Sequence, residues 1–144
     1  MTIPRAVLLA SVLSVLPMVP GIAQSRPFDE LHPLPPGATW DTLYRVFHEH
    51  RFVDDGDVAE TFSDFVVHRL ATRWSTTPAL AELVAKDSAF GAFVVKHVDA
   101  TADSDELRRV IIHSSAACPR PARSLCAAIN AAATNAAAQG AQPN

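Results

Sequence analysis

The chain has 144 residues, 49% of them hydrophobic and 19% charged, with a formal charge of −3. Such a length gives one domain rather than two, and so apolar a composition excludes a disordered chain. The acidic balance argues against nucleic acid as a partner, because phosphate binding rests on Lys and Arg.

Residues 1–23 have the pattern of a secretory signal peptide. Arg5 stands near the amino terminus, residues 6–16 form an apolar run interrupted only by Ser11 and Ser14, and Pro17 and Pro20 end any helix. Gly21-Ile22-Ala23 offers the small-x-small site of a signal peptidase, so cleavage is expected after Ala23. A spanning helix needs about 20 apolar residues, roughly twice this run. No Cys follows it that would carry a lipid anchor. The mature chain is therefore expected to be periplasmic or secreted, with no transmembrane segment after cleavage and a formal charge of −4.

Residues 24–38 read as a Pro-rich arm, since Pro27, Pro33, Pro35, Pro36 and Gly37 forbid regular helix. Residues 39–129 read as the folded domain. Trp40, Leu43, Tyr44 and Phe47 stand at i, i+3, i+4 and i+7, the spacing of one helix face. Val58, Phe62, Phe65, Val66 and Leu70 mark a second helix closed by Trp74. Leu80, Leu83 and Val84 mark a third, Phe90, Phe93, Val94 and His97 a fourth, and Leu107, Val110, Ile111 and Ser114 a fifth. Ala122, Leu125, Cys126 and Ile129 mark a sixth. Start signals fall between these stripes: Asp57 with Glu60 and Asp103 with Glu106 have capping-box spacing, Asp87 or Ser88 precedes the fourth helix, and Thr77 precedes Pro78.

No segment alternates as a strand. The expected fold is all-α, a compact bundle of five to six short helices with one C-terminal disulfide. Nine of the ten aromatic residues lie between Trp40 and Phe93, so the first four helices should build the large-side-chain core. Residues 130–144 carry no large apolar side chain and read as a frayed helix end running into an Ala/Asn/Gln-rich flexible tail.

Cys118 and Cys126 are the two cysteines, an even count in a short exported chain. On one continuous helix they would stand about 12 Å apart, beyond the roughly 4.4–6.8 Å a disulfide spans. Pro119 and Pro121 break the helix between them and let the chain fold back. Closing that ring stabilises the fold by about 2.5 kcal/mol on the chain-entropy argument.

Among groups that carry chemistry, Glu60, Asp64 and His68 share one face of the second helix at i, i+4 and i+8. Two carboxylates and an imidazole suit a divalent cation or acid–base work; they also suit a solvated helix start, with His68 paired to Asp64. Arg69 and Arg73, again at i and i+4, could hold an anion or an acidic partner. His48-Glu49-His50 has the wrong spacing for a helical zinc pair. Asp54-Asp55-Gly56-Asp57 and the alternating Asp99, Thr101, Asp103 and Asp105 look like calcium loops, but the second has Ser104 at the glycine position and Val110 at the bidentate-Glu position. Both precede helices, where Asp serves turns and caps. His97 lies on an apolar stripe and reads as a core histidine with a satisfied hydrogen bond.

No phosphate loop, nucleophile elbow or C-x-x-C is present, and nothing assigns a catalytic residue, a metal or a cofactor. The expectation is a binding or interaction protein of the bacterial envelope whose partner is another envelope or secreted protein. The binding residues are sought among Glu60, Asp64, His68, Arg69 and Arg73. The alternative is a small-ligand or lipid carrier with a cavity walled by Phe62, Phe65, Phe90 and Phe93. A metal-dependent hydrolase using Glu60, Asp64 and His68 is the third reading.

Overall fold

The computed structural model describes residues 34–35, 37–50 and 54–141. The expected signal peptide, residues 24–33 and 36 of the Pro-rich arm and the last three residues lie outside them. The described chain is helical, without strands: α1 (Trp40–His50), α2 (Gly56–Thr72), α3 (Thr77–Lys86), α4 (Ser88–Lys96), α5 (Ser104–Ala116) and α6 (Arg123–Gly140). Short 3-10 turns, Trp74–Thr76 and Arg120–Ala122, lead into α3 and α6. No described helix is long and apolar enough to cross a membrane.

The apolar stripes become a single core. Trp40, Leu43, Val66, Leu70, Leu80, Phe90, Leu107, Val110 and Ile129 are almost wholly buried. Around Phe93 the rings interlock: Phe47 at 5.0 Å, Phe62 at 5.2 Å and Phe90 at 6.3 Å between centroids. Trp40 sits at the start of α1 and donates its indole N–H to Thr76 Oγ1 at 2.9 Å, so its polar edge is satisfied inside the core.

The boundaries follow local chemistry. Asp87 is the whole connection between α3 and α4, and its Oδ1 accepts from the backbone N–H of Ala89 and Phe90. Asp103 caps α5 in the same way, accepting from Asp105 and Glu106. The Asp57–Glu60 box does not form. Helix α2 starts two residues earlier, at Gly56 with Asp55 at the cap position; glycine adopts the Gly56 φ of +52° without strain. Asp57 then lies inside the first turn rather than at the cap. Thr77 is likewise inside α3; it is buried, and its hydroxyl donates to Trp74 O.

The C-terminal reading also needs correction. Helix α6 does not fray after Ile129 but runs to Gly140, with Ala133 and Ala136 buried. Large side chains are not required there, because α6 lies against α5 and alanine permits close approach without losing side-chain entropy. Asn130 ties the pair, its amide nitrogen lying 2.9 Å from Ser114 Oγ, 2.9 Å from Ser115 Oγ and 3.2 Å from Ile111 O. The Cys118–Cys126 disulfide is formed and joins the end of α5 to the first turn of α6.

Candidate functional site

Helix α2 packs against α5, and the chain before α1 passes beside both, leaving a recess along the outer side of α2. Thr61, Phe65, His68 and Thr72 form its floor, a helical stripe at i, i+4, i+7 and i+11. One part, about 490 Å³, is walled by Asp64, by Asp103 at the cap of α5 and by Glu106 within α5. The adjoining part, about 320 Å³, is walled by Arg69 and Arg73 and by Gly37 and Ala38. Leu34, Phe65 and His68 line both parts, so the two are continuous.

The charges divide along this recess. His68 turns to Glu106 across the helix interface, Nδ1 to Oε1 at 2.8 Å, rather than to Asp64 on its own helix. Glu106 also lies 3.5 Å from Arg109. Arg69 is clamped: Nη1 donates to Ala38 O at 2.6 Å, and its guanidinium carbon lies 5.6 Å from the Trp40 ring and 5.9 Å from the Phe65 ring. Burial, then the like charge of Arg73, push Arg69 below its usual value. Among the described residues Asp64, Arg69 and Arg73 have no ion-pair partner, so the recess has an acidic end and a basic end.

Of the residues singled out from sequence, Asp64, His68, Arg69 and Arg73 meet on this recess, and Glu60, exposed on the same helix, lines neither part. Among the described residues no group of three or more His, Cys, Asp or Glu side chains could hold a metal ion. Of the four rings invoked for a carrier, Phe65 lines the recess. Phe62, Phe90 and Phe93 fill the space between the helices with one another, and Phe65 stands apart, edge-on to Trp40 at 5.9 Å.

The suspected calcium loops are used within the fold. Asp54 Oδ2 lies 2.6 Å from Lys96 Nζ, and Asp99 Oδ1 accepts from the backbone N–H and the hydroxyl of Thr101. His48 Nε2 lies 3.1 Å from Asp87 Oδ2; the side chain of His50 lies outside the described residues.

A second polar cluster gathers round Ser63 and His97. His97, buried at 1% exposure, has Nδ1 3.0 Å from the Ser63 hydroxyl, which is fully enclosed and lies 2.7 Å from Asp99 Oδ2. Ser63 has one proton, and its shortest contact is to Asp99. It donates to Asp99 and also lies 3.0 Å from Ala59 O, four residues back on α2. His97 Nε2 lies 2.9 Å from Asp54 Oδ1, the two atoms not aligned for a hydrogen bond. Burial pushes His97 below 6.5 despite the pull of Asp54 and Asp99. Burial raises Asp99, but hydrogen bonds from Thr101 and Ser63 outweigh it and hold the carboxyl below its ordinary value. The Ser–His–Asp likeness is not a nucleophile, because a fully buried hydroxyl already donating to a carboxylate can reach no substrate. Ser63 was the missed residue: a serine three and four positions before Val66 and Val67, on the buried side of α2, is the one signal that the sequence offered.

Comparison with protein-family models, with curated proteins and with solved structures finds no match to this chain.

Proposed function

We propose that this is an exported helical interaction protein of the bacterial envelope, and that another envelope or secreted protein docks along the α2 recess. The observation that carries the reading is the meeting of Asp64, His68, Arg69 and Arg73 with half-buried Leu34 and Phe65 on one continuous surface. An apolar centre, Leu34 and Phe65, with unpaired charge at its margins is the composition of a recognition face, where burial supplies affinity and the charges select the partner. The disulfide and the residue 1–23 pattern are compatible with the compartment.

The test is affinity capture from native envelope by the mature chain beginning at Gln24, beside Asp64→Lys, Arg73→Glu and Ser124→Lys variants. Ser124 is exposed on α6, away from the recess. One reproducible partner, retained by the α6 variant and lost by the two recess variants, is the expected result. Equal recovery by all four proteins would remove the recess from the reading. A stoichiometric lipid in native mass spectrometry, with no protein partner, would favour the carrier instead.

A further inference from the structure

Resting on that reading, we propose that the recess binds an extended peptide segment of about five residues with an acidic side chain at one end, an apolar one at its centre and a basic one at the other. The floor from Thr61 to Thr72 covers eleven helical steps, about 16 Å, which matches about five residues of extended chain at 3.3 Å each. In an extended peptide the residues at i, i+2 and i+4 point to one side. A single face can therefore present one charge to each end and an apolar side chain to Leu34 and Phe65 between them.

The ends supply the complement. Arg69 is pre-positioned by the Ala38 carbonyl and two aromatic rings, so its guanidinium is held before a ligand arrives. Arg73, exposed one turn further on, adds the second donor group for a carboxylate. At the opposite end Asp64 is unpaired among the described residues, and Glu106 and Asp103 reinforce its sign although each already serves the fold. A doubly acidic segment meets like charge at the α5 end, and a doubly basic one meets it at the arginines. The recess therefore selects mixed charge rather than net charge.

Three blocked pentapeptides test this on the mature chain: Glu-Thr-Leu-Thr-Lys, Glu-Thr-Leu-Thr-Glu and Lys-Thr-Leu-Thr-Lys, with amide and side-chain NMR shifts as readout. The mixed-charge peptide should perturb Phe65, His68 and Arg73 and bind at least tenfold more tightly than either like-charged one. Asp64→Lys should move the preference to the doubly acidic peptide by a similar factor. Equal binding of all three, no perturbation at millimolar peptide, or shifts centred away from α2 would overturn the inference. Partner capture that still depends on Asp64 and Arg73 alongside silent peptides would sink this peptide class and leave the interaction reading standing. If capture is also insensitive to both residues, both fall.

Discussion

Ser63→Ala is the most direct probe of the buried polar cluster. The substitution removes one oxygen from a fully enclosed site and scarcely changes side-chain volume, so packing contributes little. Of the three Ser63 contacts, Ala59 O keeps its helical donor, so the loss falls on the other two. Asp99 keeps the Thr101 backbone and hydroxyl donors on Oδ1 and loses only the Oδ2 contact. His97, at 1% exposure, loses its Nδ1 partner with no route to water. Leaving a buried polar group without its partner costs about 1–3 kcal/mol, so the expected destabilisation is about 2 kcal/mol. For a domain of this size that lowers Tm by roughly 8 °C. Urea unfolding at pH 7.5, followed by Trp40 and Trp74 fluorescence, measures it. A change below about 0.5 kcal/mol with an unchanged slope would refute the assignment of Ser63 as the relay between His97 and Asp99.

Acidification probes the same cluster through charge. His97 faces Asp54, Ser63, Lys96 and Asp99, and burial depresses it in the folded chain, so the unfolded chain takes the proton first. Stability should decline as pH falls below about 6.5 and level off below the folded value. A second loss should follow below about 3.8 as pH passes through the depressed Asp99 value; a His97 ring titration midpoint above 6.5 would contradict the first step. Gly91→Ala should destabilise by about 1–3 kcal/mol, because the added Cβ would stand 2.7 Å from Val84 Cγ1 between α4 and α3; Val84→Ala in the same chain should recover part of the loss in thermal unfolding. Replacing Cys118 and Cys126 with Ser should cost about 2.5 kcal/mol, with hydrogen exchange rising first in the Arg120–Ala122 turn and the start of α6, and equal midpoints with and without reductant would speak against it. Ending the chain after Asn130 should lower the urea midpoint markedly, since it removes buried Ala133 and Ala136; an unchanged midpoint would restore the reading of a flexible tail.

The all-helical class, the number of helices and the disulfide were legible in the sequence because each rests on local rules. Apolar spacing of three and four marks a buried helix face, Asp before a stripe marks a start, and two prolines between two cysteines permit a ring. Asp87 and Asp103 cap as their positions imply. Local rules also misled. The Asp57–Glu60 box matched the pattern, yet Gly56 begins the helix two residues earlier, because a left-handed glycine turns the chain before the cap is needed. The C-terminal alanines looked too small to bury, but size is judged against the facing helix, and α5 comes close enough for Ala133 to be enclosed.

What the sequence determined by itself was therefore the list of helices, the faces they would bury and the residue types at their ends. Only the packing of α2 on α5 decided that His68 would turn to Glu106, that Glu60 would be left out, and that Asp64 and Arg73 would mark opposite ends of one recess. The rest of the packing brought Asp54 and Ser63 together with His97 and Asp99, which both follow α4. The physical reason is the range of the interactions: helix and cap preferences act over three or four residues, whereas ion pairs and buried hydrogen bonds choose whichever partner tertiary packing delivers within about 3 Å.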